Sequence, residues 1–162
     1  MNLYRTALAA ALALASVSPA LAADAPLSLA DPAAFVERLK GMGYAPTDFD
    51  NKEGAPSVVI TQNDSRYSMA FGGCSSEKKD CRYIALIGKF SDVANPPADW
   101  IAKENIDFDY IKVWVGEDKL LTYSTGIFVE GMSEATFKNS VQLFIESGGN
   151  LAQDAIAAKL DK

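Results

Sequence analysis

The chain has 162 residues, of which 49% are hydrophobic, and it carries 15 Lys+Arg against 21 Asp+Glu for a formal charge of −6. It contains no histidine and two cysteines. Ser-His-Asp and Cys-His catalytic sets are therefore excluded, a zinc site lacks ligands, and the acidic balance argues against nucleic acid, whose binding rests on a basic surface.

The opening MNLYRTALAAALALASVSPALA joins one basic residue, Arg5, to an apolar Ala/Leu run that ends in Ala20-Leu21-Ala22. This is the layout of a secretory signal peptide cleaved after Ala22 or Ala23. The apolar run from Thr6 is broken by Ser16, Ser18 and Pro19, too soon to span a bilayer, so no stable membrane insertion is expected. The expected organisation is a signal peptide at 1–22, a flexible segment at 23–30 and a single domain at 31–162, located in the periplasm or secreted. In such an oxidising compartment the even pair Cys74 and Cys81 reads as one disulfide. Closing so short a loop is worth about 2.5 kcal/mol in the chain-entropy model, which restrains the loop without founding the fold.

Asp31-Pro32 supplies an N-cap and a first-turn proline, and Phe35, Leu39 and Met42 repeat at helical spacing, predicting a helix over 32–42 with Gly43 at its end. Residues 44–56 are polar and broken by Pro46, Gly54 and Pro56, with at most a short strand near Tyr44. Their acids Asp48, Asp50 and Glu53 miss a calcium-loop spacing, and a solvated turn is expected. Strands are predicted over 57–62 and 66–71, with Asn63-Asp64-Ser65 turning between them. In RYSMAFGGCSSEKKDCRYIALIGKF, at 66–90, two strand-like runs flank Gly72-Gly73 and the cysteine loop. The second run, 81–90, is apolar on both faces and so reads as a central strand. Asn95-Pro96-Pro97 opens a short helix over 98–105. Residues 110–115 and 121–129 form another hairpin, and Ser133 caps a helix carrying Phe137, Val141, Phe144 and Ile145. Gly148-Gly149 is expected to interrupt that helix before it restarts over 150–160. Strands grouped in this way predict an α+β domain with a five-stranded antiparallel sheet and flanking helices, in the order α-β-β-β-α-β-β-α.

The segments LKGMGY at 39–44, the strand pair around the cysteines, and LLTYSTGIFVEGMSEATF at 120–137 resemble the YbjN family, over about residues 31–147. Members of that family look like type III secretion chaperones in fold and are labelled regulators of sensory transduction. The family also carries an asparagine- and tryptophan-containing helix, matched here only by Trp100 and Asn105. The resemblance implies a module that binds another protein or peptide, and the chain is expected to be non-enzymatic, with its oligomeric state, a homodimer included, left open by the sequence. It implies no catalytic residue and no cofactor.

Carboxylate chemistry has one candidate pair, Asp107 and Asp109, which alternate onto one face of an extended stretch, and solvated acids are the expected outcome there. Gly72-Gly73 lacks the flanking pattern of a phosphate loop. The candidate partner site comes from strand alternation. Ile111, Val113 and Val115, with Leu121, Tyr123, Ile127 and Val129, are expected to line the core. Tyr110, Lys112 and Trp114, with Thr122, Ser124 and Phe128, are left on the opposite face, either open to a partner or covered by a helix. A small-ligand binder with a pocket between helix and sheet is the alternative function.

Overall fold

The structure, a computed structural model, describes residues 25–62 and 65–161. The signal-peptide reading, and Asn63 and Asp64 of the expected turn, fall outside the described residues. The elements are α1 (Pro32–Gly41), β1 (Ala45–Asp50), β2 (Ser57–Gln62), β3 (Ser65–Gly72), β4 (Tyr83–Ala94), α2 (Ala98–Asp107), β5 (Lys112–Val115), β6 (Leu120–Ile127) and α3 (Glu134–Ala157). All strand pairings are antiparallel, in the spatial order β1-β2-β3-β4-β6-β5. The α+β class is as the sequence predicts, and the doubly apolar β4 is indeed internal, between β3 and β6.

The sheet has six strands rather than five. The additional strand, β1, has the sequence APTDFD and is almost wholly exposed, so it carries no hydrophobic alternation to betray it. Backbone pairing to β2 holds it, through Ala45↔Thr61, Pro46↔Ile60 and Thr47↔Val59. Two of the acids considered for calcium have local contacts. Asp50 accepts from the Lys52 N–H at 2.8 Å, and Asp48 faces Arg66 at 3.7 Å.

Local chemistry explains where the helices start. The Asp31 carboxylate accepts from Ala33 N–H at 2.9 Å with Pro32 at the first position, and the Ser133 hydroxyl accepts from Thr136 N–H at 3.1 Å. Past the end of α1, Gly43 takes φ +93° while Tyr44 N–H returns to Leu39 C=O at 3.0 Å.

One face of the sheet carries Val58, Ile60, Tyr67, Met69, Phe71, Ile84, Leu86, Leu121 and Ile127, all at most 5% exposed. Onto it pack Phe35, Val36 and Leu39 of α1 and Phe137, Val141, Phe144, Leu151 and Ala155 of α3. Edge-on aromatic contacts join the layers: Phe35 meets Phe71 and Phe137 at ring-centroid distances of 5.9 and 5.6 Å, and Tyr67 meets Phe144 at 5.6 Å. Burial among these rings pushes the Tyr44 phenol up to about 12.

Two further expectations are corrected. The helix after Ser133 is continuous through Gly148-Gly149. Tyr123 reaches up from β6 and lies over Gly88 of β4, its cross-strand partner, with its hydroxyl against Gly148 of α3. A Cβ at Gly148 would come 2.3 Å from the Tyr123 Oη, and one at Gly88 would come 2.2 Å from Cζ. These glycines make room for a ring rather than breaking an element. The segment expected to be flexible is docked where it is described: Leu27 and Leu29 are fully buried, Leu27 exchanges backbone hydrogen bonds with Met132 and Gly131, and Leu29 C=O accepts from Cys81 N–H.

Cys74 and Cys81 form the disulfide. The enclosed loop has other ties, because Lys78 Nζ donates to the carbonyls of Asn51 and Lys52 at 2.9 and 2.8 Å, and Asp80 N–H donates to Ala30 C=O. Cys74→Ser should accordingly cost about 2 kcal/mol, under the chain-entropy figure, with a native circular-dichroism spectrum retained. A urea midpoint indistinguishable from wild type, or a spectrum without the fold, would count against this reading.

Candidate protein-binding face

The side of the sheet away from α1 and α3 is built by the alternate residues of the same strands. The pairing register places them in rows: Asp50, Ser57, Ala70, Ala85 and Gly126 in one; Thr47, Val59, Ser68, Ile87, Ser124 and Lys112 in the next; Lys89, Thr122 and Trp114 in a third. Among the described residues no helix packs on these rows. A Cβ built on Gly126 meets nothing within 4 Å, and Val59, Ser68, Ala70, Ala85, Ile87 and Ser124 are all partly exposed. Small residues pave the centre, so the floor is low. Shallow depressions of about 410 and 440 Å³ lie on either side of Lys89, sharing Ile87 as their apolar base.

Larger side chains stand at the ends of this floor. Trp114 is half-buried opposite Thr122, which is buried between it and Lys89. At the other end Tyr83 lies across Gly72, and its ring centroid is 6.1 Å from that of Phe128, which is 75% exposed just beyond β6. Of the residues expected on this face, Lys112, Trp114, Thr122, Ser124 and Phe128 are found there. Tyr110 is not. It precedes β5, where strand alternation does not apply, and its hydroxyl donates to the Ser140 carbonyl of α3 at 3.0 Å. Ile111 and Val113 are buried as expected, while Val115 at the strand end is 37% exposed. Asp107 and Asp109 also separate from their expected arrangement, Asp107 closing α2 in an ion pair with Lys103 at 2.5 Å.

The sheet edges are occupied or blunted. Asn105 of α2 clamps the outward backbone of β5, its amide accepting from Val113 N–H at 2.9 Å and donating to Val113 C=O at 2.7 Å. This side chain stands in for a neighbouring strand. At the other edge β1 contains Pro46 and a register irregularity between Thr47 and Asp50, where Asp48 sits at φ +53°. Sequence reasoning missed Arg66, Val59, Ile87, Lys89 and Tyr83 as members of the face. The signal was present in the alternation of β3 and β4, and needed only the register to join it to β6.

The face carries both signs of charge. β2, β3, β5 and β6 contain no carboxylate, and Arg66, Lys89 and Lys112 stand on the floor, but Asp50 pairs with Ser57 at its edge and Glu117 and Asp118 line the depression beside Lys89. Lys89 pairs with Asp118 at 2.5 Å, a contact that holds the Asp118 carboxyl below its ordinary range. Lys112 has no ion-pair partner among the described residues.

One buried polar group lies elsewhere. Glu104 of α2 is 1% exposed; Lys103 Nζ approaches Oε1 at 3.4 Å, and Oε2 has no hydrogen-bond partner among the described residues. Burial raises its pKa, opposed by Lys103 and reinforced by Asp154 of α3 and Asp107. A carboxyl whose folded pKa exceeds the unfolded one destabilises the fold at neutral pH, and that penalty fades as pH falls through the folded value and is gone below the unfolded one. Glu104→Gln should therefore raise stability at pH 7 by about 1 kcal/mol, with the gain vanishing below the ordinary carboxyl value of 4.5. Urea midpoints at neutral and acid pH measure this, and a gain that grows towards acid contradicts it.

No family model, curated protein or solved structure matches the chain.

Proposed function

We propose that this chain is an exported, non-enzymatic module that binds another polypeptide through the open face of its sheet. The observation that carries the reading is the asymmetry of the sheet: one face is sealed by α1 and α3, while the other presents Trp114, Tyr83, Phe128, Ile87 and Val59 around a floor of small residues. Rigid aromatics at the ends of a wettable surface contribute contact area at low entropic cost, as interface anchors do. The likeness of 39–44 and 120–137 to the YbjN family supports a chaperone-like or regulatory role, and the Cys74–Cys81 disulfide is compatible with export to the periplasm or beyond.

A photo-crosslinking residue placed at Ser68 or Ser124 tests the reading in extract of the native host. These positions should capture a discrete partner, and the same probe at Lys138 on α3 should not. Equal capture at both positions, or capture at Lys138 alone, would remove the open face from the function.

A second reading has one observation in its favour. A groove of about 370 Å³ lies between α1 and the edge of the sheet, lined by Val36, Lys40, Pro46, Phe49 and Val58 among others, and suits a small amphipathic ligand. A thermal-shift screen in which Val36→Trp abolishes a ligand-dependent rise in Tm would favour it.

A further inference from the structure

We infer that the shelf beneath residues 25–30 is a recognition site for an extended peptide with apolar side chains two positions apart, filled in this chain by its own Leu27-Ser28-Leu29 and suited to such a segment of another polypeptide. The site is separate from the open face of the sheet and does not rest on that reading. Residues 25–30 form no helix or strand, yet they are held as a bound peptide is held. Leu27 and Leu29 are fully buried while Ala25, Pro26, Ser28 and Ala30 are exposed, the alternation of an extended ligand whose every second side chain enters a pocket. The backbone is held along its length. Leu27 N–H donates to Met132 C=O at 2.8 Å and Gly131 N–H donates to Leu27 C=O at 3.0 Å, while Cys81 N–H donates to Leu29 C=O at 3.1 Å and Asp80 N–H to Ala30 C=O at 3.0 Å. From α1 the Arg38 guanidinium donates to the carbonyls of Ala25 and Pro26, and Glu134 steadies it at 2.9 Å. Contacts to backbone groups carry no sequence preference, so the two leucine positions do the selecting.

The chain's own segment leaves space beside it. A depression of about 240 Å³ lies between the segment and α1, bordered by Pro26, Ser28, Ala30, Ala34, Phe35 and Arg38. Ser28 and Ala30 are too small to fill it, and a peptide with an aromatic ring at the position of Ser28 gains apolar contact there that this chain does not make. Such a gain lets a partner compete with a tethered segment, whose effective concentration is on the order of millimolar for a short tether. A second copy of this chain is a poorer occupant. Its segment brings the same small side chains, and an exchange would pivot on Asp31 alone, between Ala30, tied to Asp80, and Pro32, which begins α1. The Asp31 carboxylate is engaged there as the helix cap.

The test uses dye-labelled peptides with the sequence of residues 25–30, APLSLA, and its variants APLFLA and APSFSA, with binding followed by fluorescence anisotropy. A protein with Leu27→Ser and Leu29→Ser, which vacates both pockets, should bind APLSLA, should bind APLFLA about tenfold more tightly, and should not bind APSFSA. The wild-type protein should bind APLFLA at least about tenfold more weakly than the vacated one, because its own segment competes. Amide exchange of the wild-type protein follows the opening itself: Asp80, Cys81 and Gly131 should exchange together, at least about tenfold faster than the amides of β4. Failure of APLSLA and APLFLA to bind a vacated protein that keeps its circular-dichroism spectrum, or equal binding of APSFSA, overturns the inference. Exchange of the three amides no faster than β4 also overturns it, and decides alone if the double variant loses the fold. A wild-type dimer abolished by the double substitution would make a second copy the occupant and overturn the assignment to another polypeptide. Gly126→Trp, which fills open space on the other side of the sheet, should leave all peptide affinities unchanged, so this site and the open face fail separately.

Discussion

Phe144→Ala is expected to lower the unfolding free energy by about 3–5 kcal/mol, the usual range for deleting a buried ring. The side chain is fully buried and sits where α3 meets the sheet, edge-on to Tyr67 of β3 at 5.6 Å and stacked on Tyr123 of β6 at 4.9 Å. Removing it withdraws apolar area from the core and leaves two rings without their shared neighbour. Those rings cannot easily collapse into the space, because Tyr123 is held by its contacts with Gly88 and Phe90. Against a total of about 5–15 kcal/mol for a domain, the variant should be marginal, with a much lower urea midpoint and an unchanged denaturant slope. A loss below about 1 kcal/mol would mean that α3 does not seat on the sheet through this residue.

Gly148→Val is expected to cost about 3 kcal/mol although valine is a better helix former than glycine. An interrupted helix, as Gly148-Gly149 suggests from sequence, predicts the opposite sign, since a side chain there would join two segments. The packing explains the difference. A Cβ at 148 enters the Tyr123 ring, and that ring cannot retreat because Gly88 lies on its other side at equally close range. A double-mutant cycle isolates the cause: in a Tyr123→Ala background Gly148→Val should cost no more than about 0.5 kcal/mol. If the valine is as costly in the absence of the ring, the wedge is not what requires glycine.

What was legible in the sequence followed from short-range chemistry. Asp31-Pro32 and Ser133 mark helix starts through their own side chains, and alternation in YSMAF and YIALIG sorts two strands into core and open faces. What was not legible depended on partners distant in the chain. β1 pairs by backbone alone, so APTDFD reads as a turn until β2 is placed beside it. Gly148 is explained only by Tyr123, and Leu27 and Leu29 only by the shelf that Met132, Gly131 and Cys81 provide. Tyr110 keeps to strand parity in the sequence, but the chain is not yet a strand there and α3 offers its hydroxyl a carbonyl. Asn105 is one polar residue on a helix until its amide is seen to occupy both backbone groups of Val113. For the candidate site, the alternation of β5 and β6 found Lys112, Trp114, Thr122, Ser124 and Phe128. Arg66 and Lys89 joined them only once the register across four strands was known.

The open face is the central claim, and Trp114 reports on it directly. It stands in β5 opposite Thr122, on the side of the sheet that the helices leave uncovered, while Trp100 lies in α2 and can be removed as a competing emitter by Trp100→Phe. Emission and acrylamide quenching of this single-tryptophan protein, measured on the monomer, should show a red-shifted spectrum and ready quenching. A blue-shifted emission that acrylamide does not reach would mean that the face is covered in the isolated protein, and would contradict the account.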